Sequence, residues 1–251
     1  MSVIKIGSLF SGIGGLELAL ERALEGLGYR PRVAWQCDIN EYARAVLARH
    51  WPAARRYDDV RKIGAATAEP VHVVCGGFPC QDISLCGKRA GLAGARSGLW
   101  YEFARIIGEL RPTFAFLENV AAICSSIRGE EAPLAAVLAS LVELGYDAEW
   151  AVFNACDVGA PHKRPRWFCL AVDQAAMADP RGLVRAMSRR ARASGPPLTR
   201  WPAEPAVPRV VPEPPPGMTL QEMQERVAAL GNAVVPAQGL DAFWTLLGRL
   251  G

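Results

Sequence analysis

Apolar positions along the chain fall into two alternating rhythms. Val3 to Ile6, Arg32 to Trp35, Val71 to Val74 and Thr113 to Leu117 are short apolar runs that read as strands. Between them apolar residues recur every three or four positions. Leu16, Ala19, Leu20, Ala23, Leu24 and Leu27 make one helical stripe, and Glu17, Glu21, Arg22 and Glu25 fall on the other face. Tyr42, Ala43, Val46 and Leu47 mark a second helix. Leu99, Phe103, Ile106, Ile107 and Leu110 mark a third, with Pro112 after its end. Leu134, Val137, Leu138, Leu141 and Val142 mark a fourth, stopped at Gly145. Alternation of this kind predicts an α/β fold: a mostly parallel sheet with helices on both faces. Ligands of such sheets bind at the carboxyl ends of the strands, so the loops after Ile6, Val74 and Leu117 are the ones to inspect.

The rhythm breaks near Gln174. From Ala175 to Met218 the chain holds ten of its nineteen prolines, which leaves little room for regular structure. Between Pro180 and Ala203 lie six arginines and no acid, a charge pattern that suits contact with nucleic-acid phosphates or a basic linker. Helical spacing returns at Leu220, and Ala237 to Leu250 reads as a closing helix. The expected organisation is therefore one unit built from 1–174 and 219–251, with a short irregular insert at 175–218. The 251 residues suffice for one such domain, and the net charge of +3 does not by itself establish a nucleic-acid partner. Seven cysteines without a C-x-x-C pair, and three scattered histidines, predict no zinc site and a reducing compartment. No signal-peptide pattern opens the sequence, and no apolar stretch approaches the roughly 20 residues of a membrane span.

Three loops carry candidate chemistry. Phe10-Ser11-Gly12-Ile13-Gly14-Gly15 joins a strand to a helix, where glycines let backbone approach a ligand and free helix N–H groups face an anion. Asp38 ends the second strand, where an acid commonly holds ribose hydroxyls. The spacing is not G-x-G-x-x-G, which weakens a dinucleotide reading. The second loop, Gly76-Gly77-Phe78-Pro79-Cys80-Gln81, presents a cysteine held by the preceding proline, and a nucleophilic thiolate needs such access. Cys75 and Cys169, within apolar strands, read as inert. The third loop, Phe116-Leu117-Glu118-Asn119-Val120, brings a carboxylate out of an apolar strand, where burial raises its pKa and suits it to acid catalysis.

Together these segments resemble the DNA (cytosine-5-)-methyltransferases. Phe10 to Gly15 looks like that family's cofactor loop, Pro79-Cys80-Gln81 its nucleophile motif and Glu118-Asn119-Val120 its catalytic-acid motif. His162-Lys163-Arg164-Pro165-Arg166 is similar to its Gln-x-Arg-x-Arg segment, and Gly231-Asn232-Ala233-Val234-Val235-Pro236 to its closing Gly-Asn-Ser-Val-x-Pro motif. Order and spacing agree over 4–172 and 219–250. His162 and Ala233 depart from the usual glutamine and serine, and the insert is short for a target-recognition region.

The resemblance implies a Rossmann-like S-adenosylmethionine-dependent fold, S-adenosylmethionine as methyl donor and duplex DNA as partner. It implies that the Cys80 thiolate adds to carbon-6 of a flipped cytosine while Glu118 serves ring nitrogen-3. Arg164 would steady the base edge and Glu118, Arg166 would support the site, and Asn119 would hold the Glu118 loop. For the cofactor it implies Phe10 against the adenine, Gly12 and Gly14 beside the methionine part, Asp38 on the ribose and Asp59 on the adenine amino group. Pro79, Asn232 and Ala233 would close that pocket. Cys86 to Trp100 looks like a closing loop, with Gln81, Lys88, Arg89 and Arg96 facing DNA, joined by Arg181 and Arg185 of the insert. A monomer is the family default, bacterial or phage cytoplasm the expected setting, and a cognate restriction endonuclease a candidate partner. Three alternatives stay open: an RNA cytosine-5 methyltransferase, a non-catalytic DNA-binding relative, and a nicotinamide-dependent oxidoreductase. The last leaves the Pro-Cys-Gln and Glu-Asn-Val segments unexplained. Methyl transfer to transfer RNA against duplex DNA, and binding of S-adenosylmethionine against NAD, separate them.

Overall fold

Five of the strands run parallel: β1 (Val3–Leu9), β2 (Arg30–Cys37), β3 (Arg55–Tyr57), β4 (Val73–Gly77) and β5 (Phe114–Val120). Two more, β6 (Tyr146–Phe153) and β7 (Arg166–Asp173), complete one sheet in the order β3-β2-β1-β4-β5-β7-β6, with β7 antiparallel to both neighbours. The computed structural model describes residues 1–79, 98–125, 132–179, 182–197, 219, 221–222, 224–226 and 233–250. Between β1 and β4 the winding reverses, because β2 follows β1 on one side and β4 lies on the other. A crevice opens at the carboxyl ends of strands at such a reversal.

Among the described residues, seven helices flank the sheet: α1 (Gly15–Gly26), α2 (Glu41–His50), α3 (Leu99–Leu110), α4 (Pro133–Glu143), α5 (Gln174–Ala178), α6 (Leu183–Ser194) and α7 (Pro236–Arg249). Side chains of β5 alternate between two cores. Phe114 and Phe116 join Leu20, Leu24, Phe168, Phe243 and Leu247 on the α1–α6–α7 face. Ala115 and Leu117 join Trp35, Trp100, Phe103, Leu141 and Tyr146 on the α3–α4 face. A strand buried on both faces reads as one apolar run, as β5 does. Each fully buried large side chain contributes roughly 1.5–3 kcal/mol. Among the described residues no helix is long and apolar enough to cross a membrane.

Two expectations need correction. Glu17, placed by spacing on the solvent face of α1, is fully buried, and Gln36 Nε2 donates to its Oε1 at 3.0 Å. Burial pushes its carboxyl upward. The stretch after Ala175 is not irregular throughout. Helix α6 buries Val184, Met187, Ser188 and Ala191, a helical stripe masked in the sequence by the arginines around it. Trp244 Nε1 donates to the Ala191 carbonyl at 3.0 Å, and Ser188 Oγ donates to the Leu250 carbonyl. Two of the six arginines cap helices: Arg190 donates to the Leu27 carbonyl at 2.7 Å beyond α1 and lies over the Tyr29 ring, and Arg192 donates to the Gly248 carbonyl in the last turn of α7 and to the Leu250 carbonyl just beyond it. Helix α6 thus belongs to the α/β unit. The antiparallel β6–β7 pair is also absent from the elements that periodicity predicts. The apolar run of β7 has no period to separate strand from helix.

Candidate active site

Loops leaving β1, β2, β4 and β5 meet over a cavity of about 480 Å³. Its walls include Phe10, Gly12, Asp38, Asp59, Pro79, Glu118 and Ala233, seven residues that the sequence assigned to catalysis or cofactor binding. The first wall is the turn after β1. Phe10 adopts a left-handed backbone (φ 52°), which costs a non-glycine residue roughly 1–2 kcal/mol, and its ring stacks on Phe103 at 6.2 Å. Three hydrogen bonds bolt this turn to the end of β2: Ser11 N donates to the Cys37 carbonyl at 3.0 Å, Cys37 N donates to Ser11 Oγ at 3.3 Å, and Gly12 N donates to Asp38 Oδ2 at 2.7 Å. Asp38 Oδ1 accepts from Asn40 N at 2.8 Å. Each carboxylate oxygen keeps a lone pair for a ligand hydroxyl.

Gly14 differs from its expected role. It caps α1 with φ 92°, and a Cβ there would lie 2.3 Å from the Trp51 ring. It does not line the cavity; it lets the turn pack on Trp51. Asp59 caps the short turn Val60–Lys62 and is gripped by the Arg61 guanidinium at 2.7 Å. Hydrogen bonds from Arg61 hold its carboxyl down to about 2. Ile39 is 82% exposed and lines the cavity, an apolar surface that sequence reading passed over. The signal was an apolar residue directly after a loop acid.

The acid site lies where β4 and β5 end. Gly77 pairs with Glu118, and a Cβ on Gly77 would sit 2.8 Å from Glu118 Oε2, so only glycine leaves this carboxylate its place. Glu118 is 9% exposed. Burial pushes its carboxyl up to about 7, against the opposing charges of Arg166 and then Arg164. Asn119 bridges the two strand ends: its Nδ2 donates to the Phe78 carbonyl at 2.7 Å, and its Oδ1 accepts from Val120 N at 2.8 Å. Phe78 is wedged against Trp100, with ring centres 4.9 Å apart. Asn119 therefore holds the carbonyl of Phe78 as well as the start of its own loop, and Phe78 lies two positions before Cys80.

One arginine contact differs from expectation. Arg166 Nε, not Arg164, pairs with Glu118 Oε1 at 3.0 Å. Arg164 has a left-handed backbone (φ 38°) and donates from Nη2 to the Ala233 carbonyl at 2.7 Å. Among the described residues its buried Nε has no hydrogen-bond partner. The backbone carbonyl of Ala233 thus serves the loop without the usual serine hydroxyl. Arg185 lies on α6, which follows the end of β7 paired with the start of β5, opposite the cavity. The structure does not bring it to the site. Cys80, Gln81, Lys88, Arg89, Arg96, Arg181 and Asn232 lie outside the described residues, as does most of the expected closing loop. Cys75 and Cys169 are buried, with thiols pushed upward by burial, as expected of inert cysteines.

A family model described as C-5 cytosine-specific DNA methylase matches residues 4–204. The type II methyltransferase M.NlaIV of Neisseria lactamica is 32% identical over 171 residues, covering 66% of this chain and 40% of the relative. M.CviJI of Paramecium bursaria Chlorella virus IL3A is 34% identical over 165 residues, covering 65% and 42%. M.HhaI of Haemophilus parahaemolyticus is 32% identical over 162 residues, covering 64% and 47%. The chain spans less than half the length of these curated relatives. Among solved structures, a DNMT2 mutant of Spodoptera frugiperda aligns with a TM-score of 0.55 at 22% identity, over 68% of this chain and 50% of that one. The S. pombe Dnmt2 methyltransferase aligns at 0.54 and 20%, over 68% and 51%. These two likenesses concern the fold. With the family model covering most of its length, the chain belongs to the C-5 cytosine-specific DNA methylase family.

Proposed function

We propose that this chain is a DNA (cytosine-5-)-methyltransferase that moves a methyl group from S-adenosylmethionine to carbon-5 of a cytosine turned out of duplex DNA. One observation carries the reading. A carboxylic acid with a pKa near 7, Glu118, stands on the wall of a nucleoside-sized cavity, beside the strand end that leads to Cys80.

The described residues fit the donor. The cavity falls within the roughly 300–1,000 Å³ of small-molecule sites. Space beside Gly12 is open, Asp38 faces in with acceptor capacity for ribose hydroxyls, and Ile39 offers an apolar face for a base. Bound there, S-adenosylmethionine would supply an electrophilic methyl group. In the proposed cycle the Cys80 sulfur bonds to carbon-6, and the carbon-5–carbon-6 electron pair shifts toward nitrogen-3. Protonated Glu118 gives its proton to that nitrogen, and Arg166 steadies the carboxylate left behind. The donor's methyl group would then pass to enamine-like carbon-5, leaving the donor as S-adenosylhomocysteine. Transfer of the carbon-5 proton to water would re-form the double bond and expel the thiolate, and the nitrogen-3 proton would return to Glu118. The base must leave the stack for these steps. Gln81, Lys88, Arg89, Arg96 and Arg181 are proposed DNA contacts, and the recognition segment is narrowed to the part of the insert beyond α6. Cytoplasmic action as a monomer, with a restriction endonuclease as partner, completes the proposal. Bisulfite sequencing of host DNA with and without expression tests it. Protected cytosines in a recurring sequence are expected. Their absence, with labelled methyl going only to transfer RNA, would move the substrate to RNA.

A further inference from the structure

Gln238 is fully buried on the first turn of α7, away from the cavity wall, and the mechanism above makes no use of it. Its Nε2 reaches two main-chain oxygens at once, the Phe153 carbonyl at 2.8 Å and the Arg164 carbonyl at 3.0 Å. Two acceptors facing one terminal atom require that atom to be the amide nitrogen. Phe153 ends β6, and Arg164 belongs to the connection that enters β7. Arg164 is also left-handed at φ 38°, a conformation that persists only where the surroundings impose it. The surroundings form a reciprocal clamp. The α7 side chain holds the Arg164 carbonyl, and the Arg164 guanidinium holds the Ala233 carbonyl just before α7. Next to it, Ala155 N donates to the Lys163 carbonyl at 2.7 Å.

We infer that Gln238 is a positioning residue: by fixing the strained backbone of Arg164 it sets where β7 begins, and so where Arg166 meets Glu118. Arg166 lies two positions after Arg164, and its Nε–Oε1 contact with Glu118 is 3.0 Å. Glu118 is walled by Gly77 of β4 and faces Arg166 and Arg164, the charged groups that act on it among the described residues. Any drift of the β7 entry withdraws both positive charges from a buried carboxyl. The inference deepens the proposed function, because it names what aims that site's arginines.

The test replaces the amide by a side chain of similar length without a donor, Gln238→Met. The carboxyl carbon of Glu118 is titrated by 13C NMR, with Glu118→Gln assigning the signal, and methyl transfer is measured alongside. In folded Q238M the Glu118 midpoint should rise by about one pH unit, and kcat should fall about tenfold, while the cofactor Kd stays within about twofold. A merely structural role would lower the melting temperature and leave that midpoint where it is. If Q238M does not fold, Gln238→Asn, which keeps the amide but is one methylene short, takes its place with the same expectation. An unchanged Glu118 midpoint in either folded variant overturns the inference. Absence of methyl transfer by the unaltered protein would instead refute the proposed function, and the titration would still decide the role of Gln238.

Discussion

Replacing Glu118 with glutamine isolates the proton that the proposed chemistry needs. The buried carboxyl rises from 4.5 to about 7, so roughly 3 kcal/mol disfavours its anion in the folded protein. The sign follows from linkage. A folded-state pKa above the unfolded one gives stability that is complete below about pH 4.5 and lost as pH climbs through 7. An amide has no such loss. The stability of E118Q relative to the unaltered protein should therefore improve between pH 5 and 8, by up to about 3 kcal/mol. Catalysis should change in the opposite direction. The amide can donate a hydrogen bond to nitrogen-3 but cannot deliver a proton, so kcat should fall on the order of 10²–10⁴-fold. For the unaltered enzyme, kcat/KM for DNA should drop on an alkaline limb centred near pH 7, and that limb should vanish in E118Q. Tritiated methyl transfer across pH 5–9 reads the rates, and urea melts at pH 5 and 8 read the stabilities. A variant that keeps both the rate and the alkaline limb would refute acid catalysis by Glu118.

Arg166→Gln removes the 3.0 Å partner that opposes burial, so the alkaline limb should move to higher pH while the rate falls; an unmoved limb in the pH–rate profile counts against the pairing. Asp38→Ala deletes the acceptor for Gly12 N and Asn40 N and should weaken S-adenosylmethionine binding about tenfold by calorimetry, with little change in DNA affinity. Arg190→Ala and Arg192→Ala should each cost about 1 kcal/mol in denaturant melts, because they cap α1 and α7, and should leave the salt dependence of DNA binding unchanged. A reduced salt slope would return them to the DNA face.

Much of this architecture is legible in the sequence because periodicity and loop chemistry agree. The stripes of α1, α3 and α4 and the apolar run of β5 predict a parallel sheet with loops at its carboxyl ends, and the cavity lies there. Other features escape because they depend on partners distant in the chain. Glu17 follows a solvent-face spacing, yet its neighbour in space is Gln36 of β2. Helix α6 has only four buried positions among its arginines, and its reason to fold is the α1–α7 surface that it covers. Gly14 resembles a ligand-approach glycine, but Trp51, far along the chain, claims the space beside it. Which arginine meets Glu118 is set by the register of β7 against β5, where Arg166 faces Val120, and no motif prints a register.

The covalent step is tested most directly by trapping it. Duplex DNA with 5-fluorocytosine in place of cytosine offers every sequence context, and fluorine cannot leave carbon-5 as a proton does. With S-adenosylmethionine present, the protein should form a denaturant-stable adduct with this DNA, and Cys80→Ser should form none. An unaltered, folded protein that binds the donor and this DNA yet yields no adduct would contradict the account.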